Sequence, residues 1–285
     1  MSTLKARTLF SVYSLVVLAA GAPILRDLFQ LSTNNDTASH HLLIPFITLA
    51  LMYQARHSIF ASIRPDRLGG FSAIFCGAGL AVSAKLVRDE FSLTVAVAGL
   101  VLAWLGGFLL CWGRDAFRRA LFPLLFLGFA IPIPNVLIEN VTHILKAGSA
   151  DLVAGLFTVT RTPYHRIGYV FALPDFAIEI ADECSGIRSS IALMLTGLLA
   201  GDQLLRTAWK KAVIVLVVLP LAIVKNGIRI VGLSLLATHV DPAFLTGQLH
   251  HEGGVVFFLL TLAMMAPLLV FLRSSEMIFA KDDAR

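Results

Sequence analysis

The 285 residues are 57% apolar and only 14% charged, with a mean hydropathy of +0.82, values that lie outside the soluble range and point to a bilayer as solvent. The net charge of +5 comes from 23 basic residues standing in short clusters at the ends of apolar segments, as topogenic charges do, and this argues against a nucleic-acid partner. Three cysteines, Cys76, Cys111 and Cys184, are too few and too widely spaced for a disulfide framework or a zinc cluster.

A spanning helix needs about 20 mostly apolar residues. The first such run, Leu9 to Leu25, follows Lys5 and Arg7; with no convincing small-residue cleavage site it reads as a retained helix rather than a signal peptide. Spans are expected at roughly 8 to 25, 41 to 55, 70 to 86, 92 to 113, 119 to 134, 186 to 201, 212 to 236 and 254 to 272, about eight in all. Cys76 and Cys111 fall inside apolar runs and are expected to be small buried hydrophobes.

The segment 137 to 158 interleaves Glu139, His143, Lys146 and Asp151 with apolar residues at helical spacing, which predicts an amphipathic helix lying in the interface. With the N-terminus inside and eight spans, Arg56, Arg64 and Arg67, then Arg114, Arg118 and Arg119, then Arg206, Lys210 and Lys211, and finally Arg273 and Lys281 all fall on the cytoplasmic side. Counting 137 to 158 as a full span spoils that agreement, so this helix is placed on the outer side. Alternating stretches around Tyr169 to Leu173 and Phe176 to Ile180, separated by Pro174 and Asp175, predict a small β-hairpin just before Cys184. The fold class expected is therefore an all-α polytopic membrane protein with a small outer-side amphipathic helix and hairpin.

Three polar groups then fall at one depth on the outer side. Cys184 opens the sixth span in the string ECSGIRSS, Glu183 to Ser190. The helix N-terminus and Arg188 at i+4 favour its thiolate; burial and the neighbouring Asp182 and Glu183 oppose it. Arg229 sits in KNGIRI near the outer boundary of the seventh span, with Asn226 and Lys225 one turn before it, and a cation at that depth signals function. His250 and His251 stand just before the eighth span, with Glu252, Gly253 and Gly254. A thiolate can attack an amide carbonyl, an imidazole can protonate the leaving amine, and a guanidinium can stabilise the oxyanion, so the three form an acyl-transfer set. Adjacent histidines rarely face one ion and no third ligand has zincin spacing, so neither metal nor cofactor is expected.

These strings, with FAIPIPNVL at Phe129 to Leu137, Asn226 to Arg229 as N-x-x-R, and His250 followed by Gly254 and Phe258, resemble the exosortase/archaeosortase family of membrane-embedded cysteine transpeptidase-like proteases. The tryptophan that often follows the last motif's glycine is Val255 here, which leaves His251 as the alternative to His250. The resemblance implies a cysteine peptidase or transpeptidase whose catalytic residues are Cys184, Arg229 and His250, supported by Arg188 and Asn226. It implies a bacterial or archaeal inner-membrane protein with its site facing the periplasm or exterior. Its partners would be exported proteins ending in a short motif such as Pro-Glu-Pro, a hydrophobic helix and a basic tail, cut near the motif and passed to a surface lipid or glycan acceptor. One membrane-embedded domain is expected over 1–285: N-terminal helices in 1–118, the exosortase-like core in 119–273 and a cytoplasmic tail in 274–285. The rival from another class is a non-enzymatic transporter or assembly component for lipid-linked exopolysaccharide, with Lys225 and Arg229 holding an anionic headgroup.

Overall fold

The computed structural model describes residues 3–87, 89–180, 186–241, 243 and 254–282. Two compact units divide the chain, Met1–Asn135 and Val136–Arg285.

The first unit is helical. Helix α1 (Thr3–Ala20) and α2 (Ala22–Asn34) are followed by a 3-10 turn over Asp36–Leu42, then α3 (Ile44–Gln54) and the single turn α4 (Arg56–Ile59). Helices α5 (Arg67–Ser83) and α6 (Asp89–Trp112) form an antiparallel pair, and the short α7 (Arg114–Arg119) and α8 (Leu121–Phe126) follow. Asp66 caps α5, accepting from the Gly69 amide at 3.1 Å and from Arg114 Nε at 2.6 Å, so one carboxylate satisfies a helix start and ties it to the chain after α6. The guanidinium beside Asp66 holds its carboxyl below the ordinary range.

The α5–α6 seam depends on glycine. A Cβ at Gly77 would stand 2.4 Å from the Ala103 amide nitrogen and 2.6 Å from the Gly99 oxygen, so the two backbones touch where side chains are missing. Lipid tails are as apolar as leucine and give little drive for helix association, and such a seam lets packing supply it. On another side of α6, Tyr13 of α1 donates to the Ala103 carbonyl at 2.6 Å and Trp104 Nε1 to Ser14 Oγ at 3.0 Å. Phe108, Cys111, Trp112, Met52 and Ile59 make the core beside it.

The second unit begins with α9 (Asn135–Val159), whose buried residues Thr142, Leu145, Ser149, Ala150, Val153 and Phe157 recur at helical spacing; of the apolar residues that predict an amphipathic helix here, Leu145 is buried while Leu137 and Ile144 are exposed. Three strands follow, β1 (His165–Ile167), β2 (Val170–Ala172) and β3 (Ala177–Glu179), in an antiparallel sheet of order β1-β2-β3. The hairpin read from the sequence is β2–β3, with Phe171 opposite Ile178. A third strand, β1, pairs on its far side with Arg166 opposite Phe171. Phe171, Leu173 and Ile180 bury against Val153 and Phe157 of α9. Arg166 pairs with Asp151 at 2.8 Å, and the Tyr169 hydroxyl meets His143 Nε2 at 3.1 Å.

Helices α10 (Ile187–Leu204), α11 (Ala208–His239) and α12 (Gly254–Asp282) complete the unit. Leu193, Ile214, Val218, Met265, Leu269 and Leu272 form their shared core. The start of α11 is anchored by α12: the Glu276 carboxylate accepts from the Arg206 and Thr207 amides at 3.0 and 2.9 Å, and Lys210 Nζ donates to the Leu272 carbonyl at 3.1 Å. A carboxylate at a helix N-terminus also opposes the helix dipole favourably. Pro220 lies inside α11.

Among the described residues, five helices are long and apolar enough to cross a bilayer: Thr3–Ala20, Arg67–Leu86, Glu90–Trp112, Ala208–His239 and Val256–Met277. A sixth is reached if Leu121–Ala130 and Asn135–Val159 together make one broken span. The chain is thus a multi-pass helical membrane protein, with five or six such spans among the described residues where the sequence predicts eight. The difference lies in identifiable helices: α3 has 11 residues, the 119 to 134 run breaks at Ala130, and α10 has 18 with polar residues at both ends. A second correction concerns Cys76, which is exposed, while Cys111 is buried as expected. In a membrane helix an apolar residue can face lipid as readily as protein, so apolar neighbours alone do not place it inside.

Candidate active site

The described part of the site is a polar face on α11, where Lys225, Asn226 and Arg229 lie at positions i, i+1 and i+4 of one helix. Rising 1.5 Å per residue, the 32-residue helix is about 48 Å long, longer than the apolar core of a bilayer, and Arg229 stands about 31 Å from its start.

Each of the three side chains meets a different neighbour. Lys225, 4% exposed, donates from Nζ to Ser189 Oγ on α10. Asn226, fully buried, donates from Nδ2 to the equally buried Ser149 Oγ on α9 at 3.1 Å, and its Oδ1 has no hydrogen-bond partner among the described residues. Arg229 is half-buried, and its guanidinium carbon lies 6.0 Å from the centre of the Phe257 ring on α12, at the outer limit of a cation–π contact. One helical turn of α11 therefore joins α9, α10 and α12 through polar or charged groups.

The start of α10 carries the strongest local constraint. Gly186, its N-cap, has φ +79°, a left-handed conformation that costs a side-chain-bearing residue energy. A Cβ there would also come within 3.0 Å of Lys225 Nζ. The Gly186 carbonyl accepts from Ser189 Oγ at 2.9 Å and from Ser190 Oγ at 2.8 Å. The chain that arrives from the Cys184 string is thereby pinned, through Ser189, to a buried ammonium. A narrow cleft lined by Ser189, Ser190, Ala222, Lys225, Phe258 and Thr261 runs beside this contact, too tight to admit a water molecule.

Of the residues singled out in the sequence, the structure brings Asn226 and Arg229 together on one face of α11 and sets Arg188, exposed, in the first turn of α10. Cys184, His250 and His251 lie outside the described residues. Sequence reasoning placed Lys225 on the polar face but missed its partner Ser189 and the partner of Asn226, Ser149. The first serine in SS after Arg188, and the only hydroxyl in the KAGSAD string of α9, were the available signals; both read as small residues suited to helix packing.

The family model described as Transmembrane exosortase (Exosortase_EpsH) matches residues 32–267. The chain belongs to the exosortase family. No curated protein matches this exosortase, and no solved structure does. The matched range takes in the whole of the α11 polar face, the sheet and the start of α10, together with the Cys184 and His250 strings.

Proposed function

We propose that this exosortase is a membrane cysteine protease or transpeptidase that cleaves C-terminal sorting signals of exported proteins and passes the new carboxyl end to a surface acceptor. The observation that carries this reading, beside the family, is the face of α11. Arg229 is a guanidinium held half-buried within the apolar helix, where a charge is retained only for a task.

In this reading the Cys184 thiolate attacks the scissile carbonyl, and the tetrahedral oxyanion is stabilised by the Arg229 guanidinium. The C–N bond breaks as His250 hands a proton to the leaving amine, which leaves a Cys184 thioester. The neutral imidazole then takes a proton from the acceptor nucleophile, which attacks the thioester and expels the thiolate. His251 is the alternative for that proton transfer. Arg188 and Asn226 support the site without a bonding step. Asn226 does so by its buried bond to Ser149, which fixes the rotation of α11 against α9.

The same face weighs against the transporter reading, because Lys225 is buried on Ser189 within the protein and is poorly placed for a lipid headgroup. One experiment separates the two. A reporter ending in a short motif, an apolar helix and a basic tail, taken from the same genome, is co-expressed with the wild type or Cys184→Ser. Accumulation of full-length reporter with Cys184→Ser supports the protease; unchanged C-terminal processing with that variant, alongside a severe Arg229→Ala phenotype, supports the transporter.

A further inference from the structure

The three-stranded sheet has an edge that its own hydrogen-bond parity leaves open. The Leu173 amide donates to the Phe176 carbonyl at 2.8 Å, and the Ile180 amide to the Tyr169 carbonyl at 3.1 Å. Bonded and non-bonded pairs alternate in an antiparallel ladder, so with Phe171 opposite Ile178 as the bonded pair between these two, Ala172–Ala177 and Val170–Glu179 are non-bonded pairs. The amide and carbonyl of Ala177 and of Glu179 therefore point away from β2. Both residues are exposed, and no strand lies beyond β3 among the described residues.

The opposite edge differs. Val170 and Ala172 turn their amide groups toward β1, whose bonded residues are then His165 and Ile167. This leaves Arg166 as the outward residue within the strand, its Nε folded onto the Gly168 carbonyl at 2.9 Å, and Pro163, with no N–H, lies just upstream. Only β3 offers two outward residues in succession.

We propose that β3 is the docking strand for the substrate: an extended peptide segment of the exported protein adds to the sheet as a fourth strand and exchanges main-chain hydrogen bonds with Ala177 and Glu179. This rests on the reading of the chain as a sorting protease. Three features fit that occupant. The chain from Glu179 to Cys184 is five residues long, a length that spans at most about 17 Å when extended, so a peptide on β3 is held within a few residues of the candidate nucleophile. The edge is preformed, because Phe171 and Ile178 pack into the core with α9 and α11 and Arg166 and Tyr169 are tied to α9, so binding orders little of the protein. Main-chain pairing accepts many sequences, as a site serving many exported proteins requires. Exposed edges are otherwise a liability that folds blunt with lysine, proline or a bulge; β3 carries none of these. It is also short, which limits it to a peptide held elsewhere too, as a substrate with its own membrane helix is.

The test separates the outward N–H from the side chain that carries it. Proline at 179 removes an amide that takes no part in the β2–β3 ladder and is tolerated on an edge, whereas alanine keeps the amide. With full-length protein in membranes and the reporter described above, Glu179→Pro should raise KM about ten-fold over Glu179→Ala, with kcat within about three-fold. Equal KM for the two variants overturns the proposal. A second arm needs no cleavage: a benzophenone amino acid at position 177 in the Cys184→Ser background should crosslink to the reporter segment just before its apolar helix, and no crosslink there overturns it. Crosslinking without cleavage by any form keeps the docking strand and removes the protease reading. Cleavage with equal KM and no crosslink does the reverse.

Discussion

Replacing Lys225 by methionine sets stability against activity. The ammonium is 4% exposed and its bond to Ser189 Oγ returns about 1.5–3 kcal/mol, while burying an ion of that size costs several kcal/mol even after relaxation. Methionine keeps most of the side chain's length and apolar contact without the charge. Ser189 keeps its bond to the Gly186 carbonyl at 2.9 Å, so no buried hydroxyl is orphaned. Lys225→Met should therefore be neutral or more stable by about 1–3 kcal/mol. The N-cap of α10, Gly186, two residues after Cys184, loses its tether, and reporter cleavage should fall about 10–100-fold, the scale on which a small misplacement acts. Thermal unfolding of the purified protein in detergent and the rate of reporter processing are the two measurements. A variant that cleaves at the wild-type rate, or that unfolds well below the wild type, refutes the assignment of Lys225 as a positioning residue held at the expense of stability.

Four other substitutions follow from the packing. Ser149→Ala removes the partner of Asn226 Nδ2 in a fully buried site and should cost about 1–3 kcal/mol in thermal unfolding. Gly77→Val forces a side chain into the Ala103 and Gly99 backbones and should cost at least about 3 kcal/mol or abolish monodisperse protein; Gly79→Ala, where a Cβ meets nothing within 4 Å, should be neutral or stabilising by up to about 1 kcal/mol in the same assay. His40 is kept neutral chiefly by burial and then by His41, with its pKa lowered to about 4. The unfolded chain binds that proton near the ordinary pH of 6.5 and the native one does not, so stability is full above pH 6.5 and is lost as pH falls toward 4. His40→Gln should flatten unfolding temperature against pH in that window.

How much of this was legible in the sequence depends on which signal each feature leaves. The polar turn of α11 follows helical spacing, and Pro174–Asp175 between two alternating runs marks the β2–β3 turn; both were readable, as was the helix at α9, though not which of its faces is buried, since Leu137 and Ile144 are exposed. Strand β1 was not, because three residues are too short to establish an alternation and it forms only by pairing with β2. The number of spans among the described residues differs from the eight predicted because hydropathy measures solvent preference, whereas α3 and α8 are set by where the backbone turns. Cys76 was misplaced for a related reason: lipid and protein interior look alike to an apolar side chain. Ser149 and Ser189 bond across 77 and 36 residues of sequence, and nothing in a lone serine announces such a partner. The groups proposed for bond-breaking chemistry, Cys184 and His250 or His251, lie outside the described residues, so the readable geometry is that of Arg229, Asn226, Lys225 and Arg188.

The anchoring of α11 has a mechanical consequence. Its foot is riveted to α12 through Glu276 and Lys210, and Pro220, with no N–H to give to the Leu216 carbonyl, softens its waist five residues before Lys225. A helix fixed below and compliant in the middle flexes rather than pistons. Under the proposed function, a displacement of Arg229 relative to a substrate would turn about Pro220 and be felt by α9 and α10 through Ser149 and Ser189 together.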